Sequence, residues 1–155
     1  RYVIDDPDFV QGETVLDFAS GSGLVAIAAK MMDANGVVAA DIDPFSRISV
    51  KLNAELNDVA IDFHGHDLLA EEGDAVQDFG CILAGDVFYD QAMAKRVFPF
   101  LQKQASQGKN VLIGDPGRSY LPTEHLYKIA EYEVPVTRVL EDSEVKKTCI
   151  WKVFA

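Results

Sequence analysis

The feature that most constrains this chain is the run Val15-Leu16-Asp17-Phe18-Ala19-Ser20-Gly21-Ser22-Gly23-Leu24. An apolar strand ends in an acid, passes through a glycine turn and enters an apolar helix. Gly21 and Gly23 have no Cβ, so the backbone there can reverse sharply and a ligand can come close to it. A strand, a tight turn and a helix in that order make half of a βαβ unit, whose second strand returns parallel to the first. Short β-rich runs and longer helical patterns keep alternating down the chain, the signature of a parallel sheet covered by helices.

The pattern predicts strands at 14–18, 37–41, 60–64, 79–85, 110–114, 134–140 and 147–154, and helices at 22–33, 44–57, 90–106 and 122–132. Pro44 and Pro122 stand at first-turn positions, where a missing N–H costs nothing. Pro99 should kink or split the third helix. The last two strands leave no room for a crossover helix between them, so they should pair antiparallel through residues 141–146. The expected fold is α/β: one doubly wound, seven-stranded, mostly parallel sheet of Rossmann-like type with an antiparallel C-terminal hairpin. Residues 1–155 read as a single domain, with the acidic stretch 71–78 as a solvated loop. The chain opens on Arg1 rather than Met, which predicts a further segment in front of it.

Charge and cysteine usage narrow the function classes. A net charge of −11 repels a phosphate backbone and no local basic patch offsets it, so nucleic acid is not an expected partner. The same acidity favours a partner with exposed lysines. No apolar run approaches the roughly 18 residues of a membrane span, so no membrane is expected either. Cys81 and Cys149 lie in apolar strand patterns and read as buried thiols in a reducing compartment, the cytoplasm or, in a eukaryote, the mitochondrial matrix. His64 and His66 bracket Gly65 without a third ligand at suitable spacing, so no metal is expected. His125 and Trp151 read as fold residues, Trp151 buried in the final strand.

In an open α/β sheet, ligands bind beyond the carboxyl ends of the strands. The predicted strand ends carry Asp17 to Gly23, Asp41-Ile42-Asp43, His66-Asp67-Leu68, Gly85 to Asp90 and Gly114 to Arg118. Asp41, ending the second strand, is placed to bind both ribose hydroxyls of an adenosine, with Ile42 against the adenine face. Asp67 can accept from the adenine amino group while the Leu68 N–H meets a ring nitrogen. Asp17 separates two cofactor classes. A dinucleotide dehydrogenase has its first glycine directly after the strand, whereas S-adenosylmethionine enzymes use a carboxylate near the methionine amino group. Each Asp read alone is more often a turn or cap residue; the set points to S-adenosylmethionine.

These residues carry a resemblance. Asp17 to Gly23, Asp41-Ile42-Asp43-Pro44 and Gly85-Asp86-Val87-Phe88-Tyr89-Asp90 resemble a class I S-adenosylmethionine-dependent methyltransferase. With Leu112-Ile113-Gly114-Asp115-Pro116-Gly117-Arg118 the chain resembles, along essentially its whole length, the electron transfer flavoprotein β-subunit lysine methyltransferases. The resemblance implies N-methylation of protein lysine, with that β-subunit as a candidate partner. Two departures stand out. Ala19 occupies the first-glycine position of many class I enzymes, which is tolerable if it keeps an ordinary φ. The upstream segment with which relatives help to close the cofactor site is expected in front of Arg1 rather than within residues 1–155.

The chemistry can be argued from residue types as well. Methyl transfer is an in-line displacement, so holding an amine lone pair behind the methyl carbon can contribute roughly 7–11 kcal/mol. A lysine amine has a reference pKa near 10.4, so its neutralisation at pH 7 costs about 4.6 kcal/mol. A carboxylate favours the ammonium form, so Asp86 is better suited to orienting the amine than to deprotonating it. Tyr89 is placed to flank the cation with its ring, and Phe88 to supply apolar wall. Asp115 and Arg118 either bind substrate backbone or pair with each other to shape their loop. The cofactor set is thus Asp17, Ala19, Gly21, Gly23, Asp41, Ile42, Asp67, Leu68 and Gly85; the catalytic pair is Asp86 and Tyr89; the substrate set is Phe88, Asp115 and Arg118. Three other readings stay open: a small-amine N-methyltransferase, a non-catalytic cofactor-binding module, and a dehydrogenase whose fingerprint is Gly21-x-Gly23-x-x-Ala26.

Overall fold

Thr14–Phe18 forms β1, whose consecutive side chains point to opposite faces of the sheet, Val15 to one and Leu16 to the other. The structure, a computed structural model, describes residues 1–70, 78–135 and 145–154. β1 pairs in parallel with β2 (Gly36–Ala40) on one side and with β4 (Cys81–Gly85) on the other. β3 (Asp62–His64) lies outside β2, and β5 (Asn110–Asp115) outside β4. With β6 (Leu126–Pro135) and β7 (Val145–Val153), the order across the seven-stranded sheet is β3-β2-β1-β4-β5-β7-β6. β7 alone runs against the others. The expected Rossmann-like methyltransferase topology, hairpin included, is the one observed.

The core divides along the two faces. Leu16, Ile82, Val111 and Ile113 face α4 (Gln91–Ser106) with Val97 and Leu101. Val15, Val37, Leu83 and Leu112 face α2 (Leu24–Met31) and α3 (Pro44–Leu56), where Ala26 and Val50 close the layer. Capping explains where the helices start. Asp43 accepts from the Phe45 N–H at 2.9 Å with Pro44 at the first position, and Asp90 accepts from the Met93 N–H at 2.8 Å. Both caps sit at strand ends, so they also fix the loops that line the site. At the other end of the chain, α1 (Tyr2–Asp5) and a 3₁₀ turn at Pro7–Phe9 rest on the α2 side.

Four expectations are corrected. The helix at 122–132 does not form: one 3₁₀ turn at Thr123–His125 leads directly into β6. The strand expected at 134–140 begins earlier instead, and residues 136–144, like 71–77 of the acidic stretch, lie outside the described residues. Pro99 sits inside an unbroken α4, so of the two outcomes expected there, a kink or a split, the split does not occur. Cys149 and Trp151 are half-buried, whereas Cys81 is fully buried and its thiol is pushed up to about 12, chiefly by that burial. No helix among the described residues is long and apolar enough to cross a membrane.

Candidate active site

The chain leaves β1 toward β2 and β3 on one side, then returns to place β4 on the other, so strand order reverses between β1 and β4. A cavity of about 640 Å³ opens at the carboxyl ends of these strands, as this topology requires. It brings together Ala19, Gly21, Asp41, Ile42, Asp67, Leu68, Gly85, Asp86 and Tyr89, nine of the fourteen residues expected at the site. Asp17, Gly23, Phe88, Asp115 and Arg118 lie outside its lining.

The turn after β1 is wound left-handed: Ala19, Gly21 and Gly23 have φ of +56°, +57° and +82°. Ala19 thus departs from the ordinary φ expected of it, at a cost of about 1–2 kcal/mol. Asp17 explains how the turn is held. It is 2% exposed, and one carboxylate oxygen accepts from the Ser20 hydroxyl and from the Ala26 N–H at 3.0 Å. Asp17 is therefore a brace between β1 and the first turn of α2, not a group facing the cavity. Burial pushes its carboxyl up to about 6; the bonds from Ser20 and Ala26 pull the other way, and the Asp41 charge adds a smaller upward push.

Asp41 ties the turn to β2. One oxygen accepts from the Gly21 N–H at 2.8 Å, the other from the Asp43 N–H at 2.9 Å. Each oxygen keeps acceptor capacity for a hydroxyl. Beside it Ile42 is 71% exposed, an apolar side chain held in the open at the cavity rim. Asp67, after β3, is oriented by the Leu69 N–H at 3.0 Å and by Arg96 Nη2 at 2.7 Å; the Arg96 bond holds its carboxyl below the usual range. Gly85 leaves space at the end of β4, since a Cβ there would meet nothing within 4 Å.

The β4 and β5 ends are interlocked. Asp86 adopts φ +53°, a left-handed turn that an aspartate tolerates better than most residues, and its N–H donates to the Gly114 carbonyl at 2.8 Å. Arg118 grips its carboxylate with both fork nitrogens, Nε to Oδ1 and Nη2 to Oδ2, each at 2.7 Å. Asp115 is fully buried and accepts from the Gly117 and Arg118 N–H groups at 2.7 Å, so it shapes the loop and cannot touch a substrate. Phe88 is also fully buried, packed in the α4 core rather than forming substrate wall. Tyr89 is 59% exposed on the cavity side. His64 and His66 stack edge-on at 5.6 Å, and no group of three potential metal ligands gathers among the described residues.

Residues 5–105 match the family profile described as ribosomal protein L11 methyltransferase (PrmA). The chain belongs to the PrmA family of class I methyltransferases. It is 36% identical to the human electron transfer flavoprotein beta subunit lysine methyltransferase, over 97% of this chain and 59% of that protein. The rat protein of the same name is 35% identical over 97% of this chain and 60% of its own length. The chain thus spans about three-fifths of the curated relatives it matches. Its fold is that of the N-methyltransferase NodS from Bradyrhizobium japonicum, solved with S-adenosyl-L-homocysteine: TM-score 0.71 at 12% identity, covering 98% of this chain and 82% of that one.

Within this PrmA-family chain, sequence reasoning gave no individual role to Asp43, Ser46, His66, Asp90, Met93 and Arg96, which line the cavity, although Asp43, His66 and Asp90 lie in the strand-end clusters it named. A signal existed for two of them, because Asp43 and Asp90 cap helices that start at strand ends. For Arg96 there was none; it reaches Asp67 across 29 positions of sequence, a contact no local pattern announces.

Proposed function

We propose that this chain is the S-adenosylmethionine-binding and methyl-transferring part of a protein-lysine N-methyltransferase, with electron transfer flavoprotein β-subunit as its substrate. The observation that carries the reading is the arrangement of one cavity with Asp41 among the residues at one strand end and Asp86 with Tyr89 at another. Identity of 35–36% across 97% of the chain to lysine methyltransferases of that β-subunit favours this substrate.

The residues fit the cofactor. Asp41 offers two carboxylate oxygens to the ribose hydroxyls, Ile42 an apolar face to the adenine, and Asp67 an acceptor for the adenine amino group. Gly21 and Gly85 let the ligand lie close to the backbone. Bound there, S-adenosylmethionine would supply an electrophilic methyl group on a cationic sulfur. Asp86 accepts a hydrogen bond from the entering lysine amine and aims its lone pair along the line of displacement. Tyr89 shields the amine from water and offers its ring face to the cation that forms. Asp17, Gly23 and Asp115 act one step back, by fixing the turn and the loop.

The full-length protein, given S-adenosylmethionine with a labelled methyl group and purified electron transfer flavoprotein β-subunit, should transfer label to lysine side chains of that subunit. Label on free amines with none on the protein would instead establish the small-amine reading. Tight binding of S-adenosylhomocysteine without turnover on either would establish a binding module.

A further inference from the structure

Asp86 presents a difficulty for the proposed chemistry. A lone carboxylate beside a lysine holds it as the ammonium, which has no lone pair to give. Yet Asp86 is not alone: the Arg118 fork covers both its oxygens at 2.7 Å from a loop that Asp115 locks by two N–H bonds at 2.7 Å. The two residues are 32 positions apart, on neighbouring strand ends cross-linked by the Asp86 N–H to the Gly114 carbonyl. The pair is partly exposed, its side chains 37% and 48% accessible, but both ends are fixed by backbone hydrogen bonds, Arg118 N–H to Asp115 and Asp86 N–H to the Gly114 carbonyl.

We propose that Arg118 is a positioning residue that lets Asp86 orient the substrate amine without trapping it in its protonated form. The inference rests on the lysine-methyltransferase reading given above. A bidentate fork uses one lone pair on each carboxylate oxygen and leaves the others as acceptors. An amine N–H can still be received and aimed by Asp86, but the charge it meets is that of a neutralised pair. The substrate ammonium first gives one proton to water; the neutral amine then forms its N–C bond as the C–S bond of the sulfonium breaks, leaving S-adenosylhomocysteine and a methylated ammonium.

Other charged and titratable groups border this place. Asp90 and Tyr89 follow Asp86 toward α4, Asp115 lies beneath the loop from β5, and Tyr120 lies in the loop beyond Arg118. Asp17 is buried in adjacent β1, and Arg1 of the N-terminal segment borders a second small cavity with Gly85 and Gly114. Asp17 titrates near 6, well below the range in which a lysine amine loses its proton. Among the described residues Arg118 contacts the Asp86 carboxylate directly, so its removal should act on the amine through that carboxylate.

The test is the pH dependence of kcat for the full-length protein with S-adenosylmethionine and electron transfer flavoprotein β-subunit. Arg118→Gln should move the rise of log kcat with pH to more alkaline values by about one unit, so that turnover at neutral pH falls roughly tenfold and recovers as pH is raised. KM for the protein should not rise, because an uncovered carboxylate still attracts the ammonium. Arg118→Lys, which keeps the charge but loses the fork, should keep its profile within a few tenths of a unit of the parent. A fall in kcat by the same factor at every pH in Arg118→Gln, or an unmoved profile, overturns the inference. Asp86→Asn in parallel separates the two levels: if it turns over like the parent, the role given to Asp86 is wrong. If it is impaired while Arg118→Gln leaves the profile in place, only the role of Arg118 is.

Discussion

Asp41 holds the Gly21 N–H at 2.8 Å, so the carboxylate ending β2 is built into the glycine turn that follows β1. Ligand affinity and turn geometry are thereby coupled in one side chain. Asp41→Ala should weaken S-adenosylhomocysteine binding roughly ten- to a hundredfold, as hydrogen bonds to a charged group are worth about 1.5–3 kcal/mol. Isothermal titration reads this directly. Affinity within twofold of the parent would remove Asp41 from the ribose site.

Asp86 should behave in the opposite way. It lies at the end of β4, on the same cavity, and is assigned to the amine rather than to the nucleoside. Asp86→Ala should lower methyl transfer at least about a hundredfold through loss of alignment, while the dissociation constant for S-adenosylhomocysteine stays within about twofold. Calorimetry and label transfer on the same preparation check both halves. Unaltered turnover would take Asp86 out of the mechanism.

Asp17 makes stability depend on pH in a direction unusual for a carboxylate. Its folded pKa, about 6, lies above the 3.8 of the unfolded chain, so between these values the native state holds the proton that the unfolded state has lost. Stability from this group is therefore greatest below about pH 4, declines as pH rises to about 6 and is level above. The gap corresponds to roughly 3 kcal/mol at full extent. Asp17→Asn keeps an oxygen acceptor for Ser20 and Ala26 without the buried charge. Measured against this variant by thermal melting, the parent should lose ground between pH 4 and 6 and no further above pH 7. A constant difference across that range would mean that Asp17 does not titrate as its burial implies.

How far the sequence could be read depended on whether a feature was local. β1, its glycine turn and the helices starting at Pro44 and Gln91 were legible because apolar runs, caps and turn residues are contiguous signals. β6 was not, and the reason is physical. It is an edge strand, mostly exposed, and a register shift between Lys128 and Ala130 breaks the alternation by which a strand is recognised. What remains, with Leu126, Ile129 and Ala130 at spacings of three and four, reads as a helix face. Pairing with β7 outweighs that local preference. The site shows the same division. Strand-end acids were found, but the Arg96 grip on Asp67, the Arg118 fork on Asp86 and the left-handed φ of Ala19 and Asp86 exist only once distant segments meet.

Gly23 and Gly85 separate the demands of the fold from those of the ligand. Gly23 has φ +82°, and a Cβ there would approach Val50 Cγ2 to 3.1 Å on the buried side of α3. Gly23→Ala therefore combines left-handed strain of about 1–2 kcal/mol with a side chain that must give way, and should lower the melting temperature by roughly 2–8 °C. At Gly85 a Cβ meets nothing of the protein within 4 Å, and the residue borders the cavity. Gly85→Ala should leave the melting temperature within about 2 °C of the parent yet weaken S-adenosylhomocysteine binding about tenfold, because the added methyl takes room that the nucleoside needs. Melting curves with and without S-adenosylhomocysteine report both effects: the ligand should still stabilise Gly23→Ala but stabilise Gly85→Ala much less. A full ligand-induced shift in Gly85→Ala would put the nucleoside elsewhere than beside the end of β4.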